Sequence, residues 1–262
     1  MGILNVTPDS FSDGNRFFDF DRAIDRALEM VAEGADIIDI GGESTRPYAP
    51  PVSLDEELRR VIPVVEKLAE RIDIPLAVDT YKAKVASVAM QAGAEIINDV
   101  SGLTFDREMA GVIADTKAGA VLMHTRGNPL NMQIDTVYTS IIEEIIDSLR
   151  KSLQIAESAG ISSQHIVVDP GVGFGKDIEG NLDILRRLSE FTCLGRPILV
   201  GTSRKSFIGK LLGRDVDDRL YGTAATVVIA LLHGASIFRV HDVKAMRDVV
   251  DMTTAICGGA PV

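Results

Sequence analysis

The chain has 262 residues, of which 46% are hydrophobic and 25% are charged, enough apolar material for one large globular domain. Its formal net charge of −11 argues against a nucleic-acid-binding protein, and no apolar run reaches the roughly 20 residues that a membrane span requires. Its two cysteines, Cys193 and Cys257, suit neither a disulfide framework nor a zinc site. Because no signal peptide is recognisable either, we expect a cytoplasmic protein.

Apolar runs alternate with segments of helical periodicity along the whole chain. In order, the predicted strands start near Gly2, Ala35, Ile74, Ala94, Ala120, Ile166, Pro197 and Ala235. The predicted helices cover residues 21–33, 53–71, 82–92, 106–117, 137–159, 181–191, 207–212, 219–233 and 242–256. The strands are apolar on both faces, as in a parallel sheet covered by helices. Eight strand–helix units of this length predict an α/β protein with a single-domain (β/α)8 TIM barrel over residues 1–262, and an open doubly wound sheet is the alternative.

The sixth predicted strand delivers a carboxylate to a glycine-rich loop. It ends at Asp169, and Pro170 cannot donate to a sheet ladder. The glycines of residues 171–175 would allow the backbone to approach a ligand closely, although a simple tight turn is an equal alternative. The Gly-x-Gly-x-Gly spacing and the preceding Asp-Pro exclude the dinucleotide-binding fingerprint.

Polar residues collect at the carboxyl ends of the predicted strands, where barrels of this type place their active sites. They are Asn5, Asp39, Asp79, Asn98, His124, Asp169, Lys205, Arg239 and His241. Any one of them could simply close a strand or cap a helix, and this alternative stays open above all for Asp39 and His124. As a group they predict a site, because many converging ionisable side chains cost desolvation free energy unless a ligand meets them.

The residue types at this predicted mouth suit a phosphorylated heterocyclic substrate. Cations that could form an anion pocket are Arg46, Lys176, Arg204, Lys205, Arg239 and His241. Asn5 and Asp13 offer the hard oxygen ligands that Mg²⁺ prefers. Asp79, Asn98 and Asp169 offer acceptors and an amide, and a carboxylate pairs well with an amino group beside a ring N–H. The residues therefore predict a barrel enzyme that uses Mg²⁺.

Eight motifs resemble those of the dihydropteroate synthases and occur in the same order across nearly the whole chain. They are NVTPDSFSDG (residues 5–14), DIGGESTRP (39–47), VDT (78–80), IINDV (96–100), LMH (122–124), DPGVGFGK (169–176), SRKS (203–206) and RVHD (239–242). The resemblance implies a transferase of folate biosynthesis that joins 6-hydroxymethyl-7,8-dihydropterin pyrophosphate to 4-aminobenzoate and releases pyrophosphate. It also implies a sulfonamide target, a Mg²⁺ cofactor and a homodimer formed through the late helices.

The resemblance assigns a role to each motif residue. The implied pterin site is Asp79, Asn98, Met123, Asp169 and Lys205. The implied aminobenzoate site is Thr45, Pro47, Phe174 and Ser206. The implied pyrophosphate site is Asn5, Arg46, Arg239 and His241, with Asn5 and Asp13 as Mg²⁺ ligands. The implied catalytic residues are Asp79, Lys205, Arg239 and His241. In the mechanism proposed for the family, pyrophosphate leaves first and the arylamine attacks the resulting pterin cation.

Three residues depart from the pattern of the family. Asn15 and Tyr48 stand where glycine is frequent, and Tyr81 stands where serine is frequent after the VDT motif. Asn15 and Tyr48 put the fit of aminobenzoate and drug sensitivity in doubt. Two other functions are alternatives. A pterin-binding methyltransferase domain would not need the SRKS and RVHD motifs. A non-catalytic pterin-binding module would be expected to lose Asn5, Lys205 or Arg239.

Overall fold

A computed structural model describes residues 1–6, 16–46 and 48–259, leaving out the side chains of residues 16–19. Within this part of the chain, strands and helices alternate as the sequence predicts. The strands are β1 (Gly2–Asn5), β2 (Ile38–Gly41), β3 (Leu76–Asp79), β4 (Ile96–Asp99), β5 (Gly119–Met123), β6 (Ile166–Asp169), β7 (Ile198–Val200) and β8 (Ala235–Phe238). The helices are α1 (Arg16–Ala32), α2 (Leu54–Ala69), α3 (Ala83–Gln91), α4 (Met109–Thr116), α5 (Ile141–Ser158), α6 (Ile178–Arg186), α7 (Ser206–Leu212), α8 (Leu220–Leu232) and α9 (Val243–Ile256).

The eight strands form one parallel sheet in sequence order, β1 to β8. The sheet closes where the chain beyond β8 meets β1, in a parallel bridge between Gly2 and Val240. There the Ile3 amide donates to the Val240 carbonyl at 2.9 Å, and the Val240 amide donates to the Met1 carbonyl at 2.9 Å. This closure confirms the predicted (β/α)8 barrel over the open doubly wound sheet.

Local capping explains where one helix departs from its predicted bounds. Helix α6 was expected over residues 181–191 but begins at Ile178, because the Asp177 side chain accepts the Gly180 amide at 2.7 Å. It ends at Arg186, and a 3₁₀ segment, Leu188–Leu194, completes the connection.

The buried apolar side chains of the described residues form two clusters. The larger lies between the sheet and the surrounding helices. The smaller consists of Val100, Met123, Met132 and Phe174, with Tyr81 packed against it, and it lies beside the carboxyl ends of the strands. Within the described ranges, no helix is both long enough and apolar enough to cross a membrane.

Candidate active site

The sheet register brings the predicted polar residues to one level of the barrel. Asn5 lies opposite Gly41, Gly41 opposite Asp79, and Asp79 opposite Asn98. A Cβ atom added to Gly41 would lie 3.7 Å from Asn5 Oδ1 and 3.9 Å from Asp79 Oδ2. Glycine at this position therefore leaves an open space in front of an amide oxygen and a carboxylate.

Arg239 joins two carboxylates at the centre of this level. Its Nη2 donates to Asp79 Oδ2 at 2.7 Å and its Nε donates to Asp39 Oδ2. Asp39 Oδ2 also accepts from Asn98 Nδ2 at 3.0 Å. The Asp39 side chain is fully buried, and its Oδ1 has no hydrogen-bond partner among the described residues. The side chains of Asp39, Asp79, Asn98 and Arg239 thus form one connected network, with Asp39 inside β2 and the other three at or just beyond the carboxyl ends of their strands.

Burial and ion pairing shift the pKa values of Asp79 and Arg239 in opposite directions. Burial raises the pKa of Asp79 to about 7, although the positive charge of Arg239 lowers it. For Arg239, burial lowers the pKa, but the carboxylates of Asp39 and Asp79 more than offset this, so the pKa is raised and the guanidinium stays charged. Asp79 is therefore a carboxylate whose ionisation depends on the cation beside it.

The sequence did not decide whether Asp39 merely closes a strand. In the structure its carboxylate accepts hydrogen bonds from Arg239 and Asn98. It lies two residues below the level of Asp79, opposite Ile3 and Ala77. A carboxylate inside an apolar strand requires a buried partner, so the sequence alone indicates that Asp39 has one. Its cationic partner is 200 residues away in sequence, which explains why local patterns did not reveal it.

Asp169 lies on the neighbouring side of the mouth, opposite Met123. Its Oδ1 accepts the Gly171 amide at 2.7 Å. Burial raises the pKa of Asp169 to about 6, against the lowering effects of that amide and of Lys205.

The glycine loop, residues 171–175, is held by a buried lysine. Lys176 Nζ donates to the carbonyls of Gly171 at 2.8 Å and Phe174 at 2.7 Å, and it lies 2.9 Å from His124 Nδ1. Gly171 has a φ of 70°, and a Cβ there would lie 1.9 Å from the His124 carbonyl oxygen, so only glycine fits. Burial and then Lys176 lower the pKa of His124 to about 2, which leaves the imidazole neutral.

Lys176 and His124 therefore support the loop. Lys176 was a candidate for the anion pocket, and that expectation is wrong, because its side chain is 2% exposed and its ammonium faces loop carbonyls. Arg204, another candidate, is ion-paired with Asp242 at 2.6 Å. Its φ of 57° turns the chain before α7.

Lys205 follows that turn and reaches across the mouth. Its Nζ lies 4.0 Å from the centroid of the Phe174 ring, a cation–π contact. Burial, followed by repulsion from Arg239, lowers the pKa of Lys205 to about 8. Ser206, the next residue, is exposed at the start of α7. The predicted pterin lysine thus touches the aromatic ring predicted for the aminobenzoate pocket.

An open cavity of about 300 Å³ lies in front of Arg239 and Lys205. It is lined by Ile3, Asn5, Ser44, Thr45, Arg46, Met132, Gly173, Gly201, Ser203, Arg204, Lys205, Ser206, Arg219, Arg239 and His241. The four remaining predicted pterin residues, Asp79, Asn98, Met123 and Asp169, are not in this lining. Arg239 lies between the cavity and Asp79, so the two parts of the predicted site meet at this guanidinium.

His241 lines this cavity and is held by Ser203. The His241 amide donates to Ser203 Oγ at 3.1 Å, and His241 Nδ1 lies 3.0 Å from the same oxygen. When the Ser203 hydroxyl donates to Nδ1, the ring proton lies on Nε2 and can be donated into the cavity. Burial and then Arg239 lower the pKa of His241 to about 4, so the imidazole is neutral near pH 7.

Some predicted residues cannot be placed. Asp13, a predicted Mg²⁺ ligand, and Pro47, a predicted aminobenzoate contact, lie outside the described residues. Within the described ranges, no three His, Cys, Asp or Glu side chains are grouped so that they could hold a metal ion. Met132 was not predicted, because no motif marks the loop after β5, yet it lines the cavity.

Comparison with known proteins identifies the family of the chain. Residues 1–241 match the family described as pterin binding enzyme. The dihydropteroate synthase of Synechocystis sp. is 49% identical over 98% of this chain and 89% of its own length. The chain belongs to the dihydropteroate synthase family. The Bacillus subtilis member is 46% identical over 98% of this chain and 87% of its own.

Solved structures of the family share this fold. The Clostridium difficile dihydropteroate synthase, solved in the presence of pteroic acid, superimposes with a TM-score of 0.93 at 52% identity, over 98% of this chain and 95% of that one. The Yersinia pestis dihydropteroate synthase, solved with a sulfonamide drug, gives a TM-score of 0.94 at 44% identity, over 99% and 94%. The chain is therefore an enzyme of the transferase class.

Proposed function

We propose that this chain condenses 6-hydroxymethyl-7,8-dihydropterin pyrophosphate with 4-aminobenzoate to give 7,8-dihydropteroate and pyrophosphate, a step of folate biosynthesis. The observation that carries the proposal is Arg239, which links the buried carboxylates of Asp39 and Asp79 to the open cavity beside Lys205 and His241. This arrangement supports recognition of a heterocycle next to an anion-binding pocket.

The pterin is proposed to bind on the carboxylate side of Arg239. Asp169 and Asp79 are buried acceptors, and Asn98 lies between Asp79 and the chain of β5. A pterin ring carries an amino group beside a ring N–H, which a carboxylate can accept as a pair. Met123 belongs to the adjacent apolar cluster and would cover the ring.

The pyrophosphate is proposed to occupy the cavity. Arg239, His241 Nε2–H and the exposed Arg46 supply donors, and Asn5 faces the same space. As the C–O bond to pyrophosphate breaks, these groups stabilise the departing anion, and Asp79 stabilises the positive charge left on the pterin. Leaving-group departure before attack thus suits the charges of this site.

The aminobenzoate is proposed to bind against the Phe174 ring, on which Lys205 lies, and against Thr45 and Ser206, which line the same cavity as the proposed pyrophosphate donors. An arylamine is unprotonated at pH 7, so its nitrogen lone pair can form the C–N bond directly. The ammonium that results passes its proton to the released pyrophosphate or to water, and no protein general base is assigned. Sulfonamides, which target this family, would compete for the same pocket.

Mg²⁺ is proposed to enter with the pyrophosphate. In a site of this kind Mg²⁺ keeps water and substrate phosphate ligands and needs only one or two oxygens from the protein. Asn5 Oδ1, next to the open space at Gly41, fits that requirement, and Asp13 is the second proposed ligand. The metal would neutralise charge on the leaving group.

Excess chelator should abolish turnover and added Mg²⁺ should restore it, whereas full activity in chelator would remove the metal from the mechanism.

A pyrophosphate-release assay tests the proposed function. Release coupled to 7,8-dihydropteroate formation should require both dihydropterin pyrophosphate and aminobenzoate. Failure to form dihydropteroate from the two substrates would overturn the proposal. A methyltransferase domain, the alternative, would have no use for the anion cavity formed by Arg239 and His241.

The pH dependence of kcat/KM should be bell-shaped, because Asp79 and Asp169 must be ionised while Lys205 must be protonated. Activity should fall as pH drops through about 7 and then about 6, where Asp79 and then Asp169 gain protons and lose the charge that the pterin requires. It should also fall as pH rises through about 8, where Lys205 loses its charge. In Lys205→Arg the basic limb should disappear, since a guanidinium stays protonated there. A basic limb that persists in this variant would assign it to another group.

We also propose that the chain forms a homodimer and is cytoplasmic. Helices α8 and α9 expose large apolar side chains, among them Tyr221, Leu232, Met252 and Ile256. Because exposed apolar side chains of this kind mark protein–protein interfaces, they support the proposal of a homodimer formed through these helices. A cytoplasmic location is proposed from the sequence alone.

A further inference from the structure

Beside the mouth lies a cluster of ionisable side chains to which the proposed reaction gives no role. Glu43 and Glu57 are 7% and 1% exposed. Lys82 Nζ donates to Glu43 Oε2 at 2.6 Å and also to Glu57. The Tyr81 hydroxyl donates to Glu43 Oε1 at 2.6 Å. One ammonium thus serves two carboxylates, and Tyr81 provides the donor for the remaining oxygen of Glu43.

Glu43 ties together the two ends of a loop that forms part of the cavity. Its Oε2 accepts the Val52 amide at 3.0 Å, which joins residues 43 and 52 across the loop base. Within this loop, Thr45 and Arg46 line the cavity. A shift of the Glu43 carboxylate would therefore move the chain segment that presents these two residues.

The Tyr81 ring connects this loop base to the apolar wall of the site. It packs against the smaller apolar cluster, which contains Met132 and Phe174, and meets Phe105 edge-on with centroids 5.5 Å apart. Burial and then the hydrogen bond to Glu43 raise the pKa of Tyr81, so the hydroxyl keeps its proton and stays a donor. Tyr81 thus contacts both the loop base and the apolar cluster to which Phe174 belongs.

We propose that Tyr81 is a positioning residue for the second-substrate pocket. Its hydroxyl fixes the Glu43 carboxylate, the carboxylate fixes the base of residues 43–52, and the loop holds Thr45 against the pocket formed with Phe174. The inference rests on the proposed function. It gives a role to a residue that departs from the serine frequent in the family at this position.

The test is Tyr81→Phe, which removes the hydroxyl and keeps the ring. The KM for aminobenzoate should rise about fivefold, the scale of one net hydrogen bond. Hydrogen exchange at the Val52 amide should accelerate by a similar factor. Binding of 6-hydroxymethylpterin, which lacks phosphate and would use Asp79 and Asp169, should be unchanged. Thr116→Val, which removes an exposed hydroxyl at the end of α4, is the control and should alter none of these.

The outcomes separate this inference from the proposed function. A wild-type protein that makes no dihydropteroate would contradict the proposed function, while Val52 exchange would still report on the loop. An unchanged Val52 exchange rate in Tyr81→Phe overturns the inference. Faster exchange at the Val52 amide with an unchanged KM for aminobenzoate overturns the inference as well. So does a loss of 6-hydroxymethylpterin affinity as large as the rise in the aminobenzoate KM, because it would indicate a general disturbance of the fold.

Discussion

Replacing Asp39 with alanine is expected to lower the free energy of unfolding by about 3 kcal/mol or more, since removing one partner of a buried ion pair leaves an uncompensated charge. Asp39 is fully buried, and its carboxylate accepts from both Arg239 and Asn98. Without it, Arg239 would keep only Asp79. Urea denaturation of the purified variant measures the change.

A matched control separates this effect from the loss of any ion pair. Asp147 pairs with Arg150 at 3.1 Å on α5, where both side chains are more than half exposed, so Asp147→Ala should cost less than about 1 kcal/mol. The variant Asp39→Asn keeps the volume and removes only the charge, and it should lie between wild type and Asp39→Ala. Equal stability losses for Asp39→Ala and Asp147→Ala would show that Asp39 does not hold Arg239 in place.

Lys205→Ala is expected to lower turnover at least about tenfold, which is roughly 1.4 kcal/mol of transition-state stabilisation. The ammonium of Lys205 lies over the Phe174 ring, where we propose that it donates to the polar edge of the pterin between the two substrates. Steady-state kinetics measures the loss. Lys205→Arg should not restore full activity, because the planar guanidinium is bulkier than a point donor.

The thermal melt of Lys205→Ala should stay close to that of wild type, because a residue at the mouth supports no core. Lys210→Ala removes an exposed lysine from α7, the helix that follows Lys205, and should leave both turnover and the melt unchanged. Near-normal turnover in Lys205→Ala would retire the proposed role. A lost fold in that variant would do the same, by explaining the lost activity without a substrate contact.

The barrel and much of the candidate site could be predicted because local patterns determine them. Each strand is a short apolar run, and parallel strands in register bring their carboxyl ends together. Asp79 and Asn98 therefore lie side by side, as expected from strand ends alone. The same reasoning placed Asp169 at the mouth, directly before the glycine loop.

The remaining features depend on partners far away in sequence. Asp39 meets Arg239 across the barrel, and Tyr81 meets Glu43 across two loops. No periodicity predicts such pairs. The prediction that Lys176 belongs to the anion pocket failed for a similar reason. The sequence shows that a lysine follows the glycine loop, but not that its ammonium turns back to donate to the loop carbonyls.

The most direct test of the account is calorimetry of 6-hydroxymethylpterin binding at pH 7.5, with wild type and Asp169→Asn. A buried carboxylate that accepts two ring donors should hold the pterin, whereas an amide group would leave a donor unpaired, at about 1–3 kcal/mol. We predict binding at least about fivefold weaker in Asp169→Asn. The control is Asp177→Asn, at the exposed N-cap of α6, which should bind like wild type. Equal affinity in wild type and Asp169→Asn would contradict the proposed pterin site.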